Sequence, residues 1–80
     1  MSHSTPLPPD VLNRIMQDAR YEYLSEDKIC YGELDGFQGV YGTGNTQIEA
    51  ADDLASALQE WIAHRQTRGL SIPDRARVVS

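Results

Sequence analysis

Tyr31-Gly32-Glu33-Leu34-Asp35-Gly36-Phe37-Gln38-Gly39-Val40-Tyr41-Gly42-Thr43-Gly44-Asn45-Thr46-Gln47-Ile48-Glu49-Ala50, continuing through Leu54 to Trp61, is the stretch that decides the fold. It reads as a strand, a tight glycine-bounded turn, a second strand and a capped amphipathic helix. Thr46-Gln47-Ile48-Glu49 has the spacing of a capping box, in which the Thr hydroxyl accepts from the Glu49 amide and the Glu carboxylate reaches back to the Thr amide. From Ile48 the apolar residues recur at Ala51, Leu54, Ala55, Leu58, Trp61 and Ile62, a helical stripe that predicts one face built to cover a sheet. The helix is expected from Thr46 to about Arg68, with Gly69 at the left-handed C-terminal position and Arg65 and Arg68 opposing the negative end of the dipole.

Upstream, the alternation of Ile29 to Leu34 predicts a strand with the small Cys30 and Gly32 and with Leu34 toward the helix, and Ile29, Tyr31 and Glu33 on the other side. Tyr21 to Leu24 reads as its hairpin partner across the polar turn Ser25-Glu26-Asp27-Lys28. Asp35-Gly36 is a strong turn dipeptide, and Phe37 to Gly42 reads as the third strand, with Gly39 and Gly42 marking close backbone contact or a bulge. Asp10 is placed to cap a short helix with Val11, Leu12, Ile15, Met16 and Ala19 on its apolar face. Residues 1–9, with Pro6, Pro8 and Pro9, read as a flexible tail, and 10–80 as a single domain. Val78 and Val79, after Arg75 and Arg77, are placed for a short edge strand. The expected architecture is α+β: a three- to four-stranded, mainly antiparallel sheet covered by one long helix, with an extra short N-terminal helix. The open face is expected to carry Tyr21, Tyr23, Tyr31 and Tyr41, too much aromatic surface for water in so small a domain.

Eighty residues make one small core, near the size at which association adds needed burial. The net charge of -5 disfavours a broad nucleic-acid surface and favours a basic protein partner. One cysteine, Cys30, allows neither an internal disulfide nor a Cys-based zinc site within the chain, and fits a reducing cytoplasm. Neither a membrane span nor a signal peptide is visible in the sequence.

The run Tyr31 to Val40, followed by Gly44, Thr46, Glu49, Ala50 and Leu54, resembles the core of the HicB-like antitoxins, and Gly69-Leu70-Ser71-Ile72-Pro73 resembles the end of that domain. The resemblance covers roughly Arg20 to Val79. It implies a partial ribonuclease H-like fold of order β-β-β-α-β, with the fourth strand returning beside the first. It also implies the antitoxin half of a bacterial type II toxin–antitoxin pair, in which a small basic HicA-type mRNA-cleaving toxin is bound and occluded. The extra helix points to the short, single-domain members. A separate DNA-binding domain has no room before Ser80, so direct operator binding is not expected.

A ribonuclease H-like nuclease needs acidic side chains converging on two metal ions, and Glu22, Glu33, Asp35, Glu49, Asp52 and Asp53 are available. Glu49 is explained by the cap, and Asp52 and Asp53 by the polar face of the helix's first turns. His3 and His64 have no partner at ligand spacing. Cys30 and Trp61 read as packing residues. The glycines lack the order of a phosphate loop. The expectation is therefore a binding protein without catalytic residues, metal or cofactor. Its partner-binding residues would be Tyr31, Glu33, Asp35, Tyr41, Asp52 and Asp53, with self-association into a dimer or tetramer through Tyr21, Tyr23 and Tyr31. An orphan homo-oligomeric binding domain, or a residual metal-dependent nuclease, are the alternatives.

Overall fold

The computed structural model describes residues 7–73. In chain order they form α1 (Pro9–Met16), β1 (Arg20–Leu24), β2 (Ile29–Glu33), β3 (Tyr41–Gly44) and α2 (Gln47–Arg68). The strands make one antiparallel sheet in the order β1-β2-β3, giving the expected α+β fold. His3 and the strand expected at Val78 and Val79 lie outside the described residues.

Both ends of α2 are set by local chemistry. The Thr46 hydroxyl accepts the Glu49 amide at 3.2 Å, a contact of a kind that stabilises a helix by about 1 kcal/mol. The Glu49 carboxylate returns to the Asn45 amide at 3.0 Å, one residue earlier than a standard capping box. Gly69 ends the helix at φ 68°, and the amides of Gly69 and Leu70 close onto the Gln66 and Arg65 carbonyls.

The face that α2 buries is narrower than the expected stripe. Ala50, Leu54, Leu58 and Ile62 are buried at a strict four-residue spacing, whereas Ala51, Ala55 and Trp61 are half-buried. Ile48 points away from the sheet and is 76% exposed. The reason lies in the sheet beneath. A Cβ on Gly42 would stand 2.3 Å from the Leu54 nitrogen, and one on Gly44 would stand 2.5 Å from the Glu49 Cβ. With no side chains on these positions, the helix backbone rests almost directly on β3. Only the residues aimed straight down, Ala50 and Leu54 foremost, fit into the contact.

The β2–β3 connection corrects the expected third strand. Phe37 to Val40 is a turn, closed by the Val40 amide on the Phe37 carbonyl at 3.1 Å, with Gly39 at φ 84° in the third position. That is type II geometry, and it cannot continue a strand. Nothing lies within 4 Å of a Cβ built on Gly39, so this glycine serves the turn and not a close approach. Phe37 and Val40 point inward from the two ends of the turn and are buried, so β3 begins only at Tyr41. Phe37 meets the Trp61 ring edge to face at 5.6 Å between centroids.

The first helix is shorter and begins earlier than expected. Pro9 occupies its first turn, Pro8 takes the capping position, and no side chain caps it, so Asp10 lies inside the first turn instead of before it. The amides of Asp18 and Ala19 already bond three positions back, to the Ile15 and Met16 carbonyls, so the helical four-residue spacing has ended. Leu7, in the stretch read as tail, is buried, and its amide donates to the Gln59 side chain at 2.8 Å. Val11 and Ile15 join Leu34, Phe37, Leu54, Leu58 and Ile62 in one core cluster. Both helices therefore sit on the same side of the sheet, and the first helix does not cover the other face.

Tyr21 lies on this helix side, over Gly32, where an added Cβ would stand 2.8 Å from its ring. Burial pushes its phenol above the ordinary value of 10.0, and Cys30 nearby adds to the shift. The folded state thus holds this proton more tightly than the unfolded chain. The associated stability is complete below the unfolded value and is lost as pH rises through the folded one. Between about pH 9 and about pH 11, the urea midpoint of the native protein should fall more than that of Tyr21→Phe, which has no phenol to ionise.

Candidate functional site

Strand register sorts the sheet residues into two faces. Tyr21 pairs with Gly32 and Tyr23 with Cys30, while Glu22 pairs with Tyr31, and Tyr31 with Thr43. Cross-strand partners share a face. Tyr21 and Tyr23 are therefore on the helix side with Cys30, Gly32 and Gly42, and not beside Tyr31 as expected from the sequence. An ambiguity of one residue in a short strand is enough to cause this, because it moves every side chain to the opposite face. Tyr23 nevertheless stays 58% exposed, because α2 lies over β3 and β2 and leaves the far end of β1 uncovered.

The face opposite the helices carries Arg20, Glu22 and Leu24 from β1, Ile29, Tyr31 and Glu33 from β2, and Tyr41 and Thr43 from β3. Tyr31 and Tyr41, diagonal neighbours, stack with centroids 5.8 Å apart and planes 19° from parallel. A shallow depression of about 260 Å³ runs from this pair past Glu33 and Asp35 to the 36–40 loop. Arg20 spans the rim, its guanidinium bonded to the carboxylates of both Glu33 and Asp35. All three side chains are largely in solvent, so the pairs orient the rim more than they stabilise the fold. The arrangement offers a flat aromatic platform beside two carboxylates, chemistry suited to a lysine or arginine side chain of a partner.

Four of the six expected partner-binding residues, Tyr31, Glu33, Asp35 and Tyr41, thus come together. Asp52 and Asp53 do not join them. Asp52 is exposed on α2, in the layer beyond the sheet. Asp53 reaches around the sheet edge, and its carboxylate accepts the Thr43 amide at 2.9 Å. Sequence reasoning misses this contact because it joins a helix residue to a backbone group ten positions away, which no local spacing signals. Arg20, equally unmarked in sequence, becomes part of the rim only through the β1–β2 register.

Cys30 is a buried free thiol. His64 is exposed near the end of α2. Among the described residues, no three His, Cys, Asp or Glu side chains are grouped to hold a metal ion. A second, open cleft of about 630 Å³ lies between the 36–38 loop, Trp61 and Ser71–Pro73. Among the described residues that line it, the charged one is Arg65, which stacks on Trp61 at 4.8 Å and donates to the Ser71 carbonyl at 2.6 Å. No helix of the described residues is long and apolar enough to cross a membrane.

The fold and this face define a small α+β domain in which, among the described residues, one sheet surface is packed under helices and the other is open, aromatic and acid-rimmed. The chain belongs to the UPF0150-like family, whose model matches residues 11–73. This is a family of small HicB-like proteins associated with toxin–antitoxin systems. The chain is similar to the crystal structure of TTHA0281 from Thermus thermophilus. The two share 30% sequence identity and a TM-score of 0.76, with 89% of this chain and 90% of that one covered. No curated relative matches the chain in sequence.

Proposed function

We propose that this protein acts as a cytoplasmic antitoxin, binding a small basic HicA-type toxin and blocking its cleavage of mRNA by occlusion, without catalytic residues of its own. The observation that carries this reading is the open sheet face: the stacked Tyr31–Tyr41 pair beside Glu33 and Asp35, on a chain of net charge -5. An acidic surface steers a basic partner into encounter, and aromatic side chains supply the anchoring contact. Family membership agrees with this class of activity. Direct nucleic-acid binding is disfavoured by the same charge. Two of the five described cations are already engaged, Arg20 by carboxylates and Arg65 by Trp61 and the Ser71 carbonyl.

A second reading, an orphan homo-oligomeric binding domain, draws support from the exposed Tyr23, Tyr41 and Ile48 side chains. The two are separated by expressing the protein with the product of any neighbouring short, basic open reading frame. An antitoxin forms a stoichiometric complex with that product and abolishes its RNA cleavage. An orphan domain leaves the cleavage unchanged. Magnesium-dependent cleavage of an RNA–DNA hybrid by the pure protein would contradict both.

A further inference from the structure

We infer, resting on the reading of the open face as the partner's site, that Arg20 is an internal competitor there. It holds the Glu33 and Asp35 carboxylates that an arginine of the basic partner takes over on binding, so the chain carries its own stand-in for the ligand. Register sets three of the side chains in one row across the sheet. Arg20 pairs with Glu33 and Glu33 with Tyr41, so the carboxylate of β2 stands between the guanidinium of β1 and the ring of β3. Tyr31 stacks on Tyr41 from the next row. Arg20 reaches both acids through one nitrogen, Nη2, which touches one oxygen of Glu33 at 3.4 Å and one oxygen of Asp35. Neither contact is the two-pronged fork that makes guanidinium–carboxylate pairs strong. The Arg20, Glu33 and Asp35 side chains are 62%, 47% and 72% exposed, so water and salt weaken the hold further.

The aromatic half of the site is bare by contrast. Among the described residues, the guanidinium that lies over a ring is Arg65, 4.8 Å from Trp61, where it also donates to the Ser71 carbonyl. That aromatic surface is satisfied within the chain, whereas Tyr31 and Tyr41 have only each other. A partner's guanidinium that settles on the tyrosine pair meets Glu33 from the side opposite Arg20 and combines a stacked face with a forked carboxylate, two contacts that Arg20 does not make together. A lysine gains less there, because its ammonium neither forks nor stacks as a plane. While Arg20 holds the acids they are closed to a second guanidinium, and the apparent affinity falls by the fraction of time they are free. The consequence is a sign: removing this rim residue strengthens binding of a basic ligand.

The test titrates acetylated, amidated tri-arginine into the full-length, isotope-labelled chain and follows the backbone amides by NMR. Shifts should cluster at Tyr31, Glu33, Asp35 and Tyr41, and Arg20→Gln should lower the dissociation constant about threefold to tenfold, the strength of two exposed ion pairs. Arg14→Gln changes the net charge equally from α1, on the other side of the sheet, and should stay close to the native value. Arg20→Lys, which keeps the charge without the planar group, should fall between native and Arg20→Gln. An Arg20→Gln chain that binds no tighter than Arg14→Gln would overturn the competitor, and weaker binding would make Arg20 a residue that positions the acids for the ligand. Tri-lysine binding as tightly as tri-arginine would overturn the choice of guanidinium. No response at the four residues in either chain would overturn the site. A response that appears only in Arg75→Gln/Arg77→Gln would give the competing role to the chain's own end. Inhibition of RNA cleavage is read separately. Native inhibition with an unchanged Arg20→Gln constant would remove the role of Arg20 alone, whereas the predicted constants without inhibition would remove the toxin and keep the site.

Discussion

Gly42→Ala is expected to be the most damaging single methyl that can be added to this protein. The new Cβ would stand 2.3 Å from the Leu54 nitrogen, 2.6 Å from its Cα and 2.7 Å from the Ala50 carbonyl oxygen. All three are backbone atoms of α2, so no rotamer change relieves the overlap, and helix and sheet must separate along their closest contact. Overpacking commonly costs about 1–3 kcal/mol, and a clash against backbone belongs at the top of that range, about 3 kcal/mol or more. A domain of this length has a total stability of roughly 4–12 kcal/mol. Thermal unfolding followed by circular dichroism should therefore show a midpoint lowered by roughly 12–24 °C. Gly36→Ala is the control. Its Cβ meets nothing within 4 Å, so only the penalty of φ 84° applies, about 1–2 kcal/mol. Equal losses for the two variants would show that backbone conformation, and not the helix-to-sheet approach, governs the glycine requirement.

The second large effect is on binding and leaves the fold in place. Tyr31→Ala/Tyr41→Ala removes the platform from the open face, where the rings stack on each other and Tyr41 is 55% exposed. The stacking between them is worth only about 0.5–1.5 kcal/mol to stability, so the domain stays folded. Buried at an interface, aromatic anchors typically contribute about 2 kcal/mol or more each. Affinity for the basic partner should fall at least about 100-fold by calorimetry, with Tyr31→Phe/Tyr41→Phe close to the native protein. Charge reversal at Asp52 should have little effect, because that side chain lies in the helix layer. Loss of binding on Asp52→Lys, with the tyrosine variant unaffected, would move the partner's site to α2.

Much of the fold was legible because its signals are local. The Thr46–Glu49 spacing, Gly69, and the alternation of Cys30, Gly32 and Leu34 each locate one structural feature from neighbours in the chain. Three features were not legible. Phe37 and Val40 look like strand residues by composition, and only their burial at the two ends of a left-handed Gly39 turn reveals a plug that closes the core. Tyr21 and Tyr23 look like partners of Tyr31, and only the pairing of Tyr21 with Gly32 places them across the sheet. Ile48 fits the apolar period of α2, yet the glycine floor of β3 brings the helix so close that only the Ala50–Leu54–Leu58–Ile62 line is buried. The same limit applies to the candidate site. Its tyrosines and acids could be named from sequence. Their separation into an open-face group and an edge-guarding Asp53, and the role of Arg20 at the rim, follow from register and long-range contact.

The most direct test of the central claim is a titration of the purified protein into an RNA-cleavage assay driven by the product of a neighbouring short, basic open reading frame. Tyr31→Ala/Tyr41→Ala is titrated alongside. Cleavage that falls to zero at one equivalent of the native chain, and persists at the same concentration of the folded variant, is the predicted result. Cleavage that continues at saturating native protein, or is blocked equally by the variant, would contradict an antitoxin acting through the open tyrosine face.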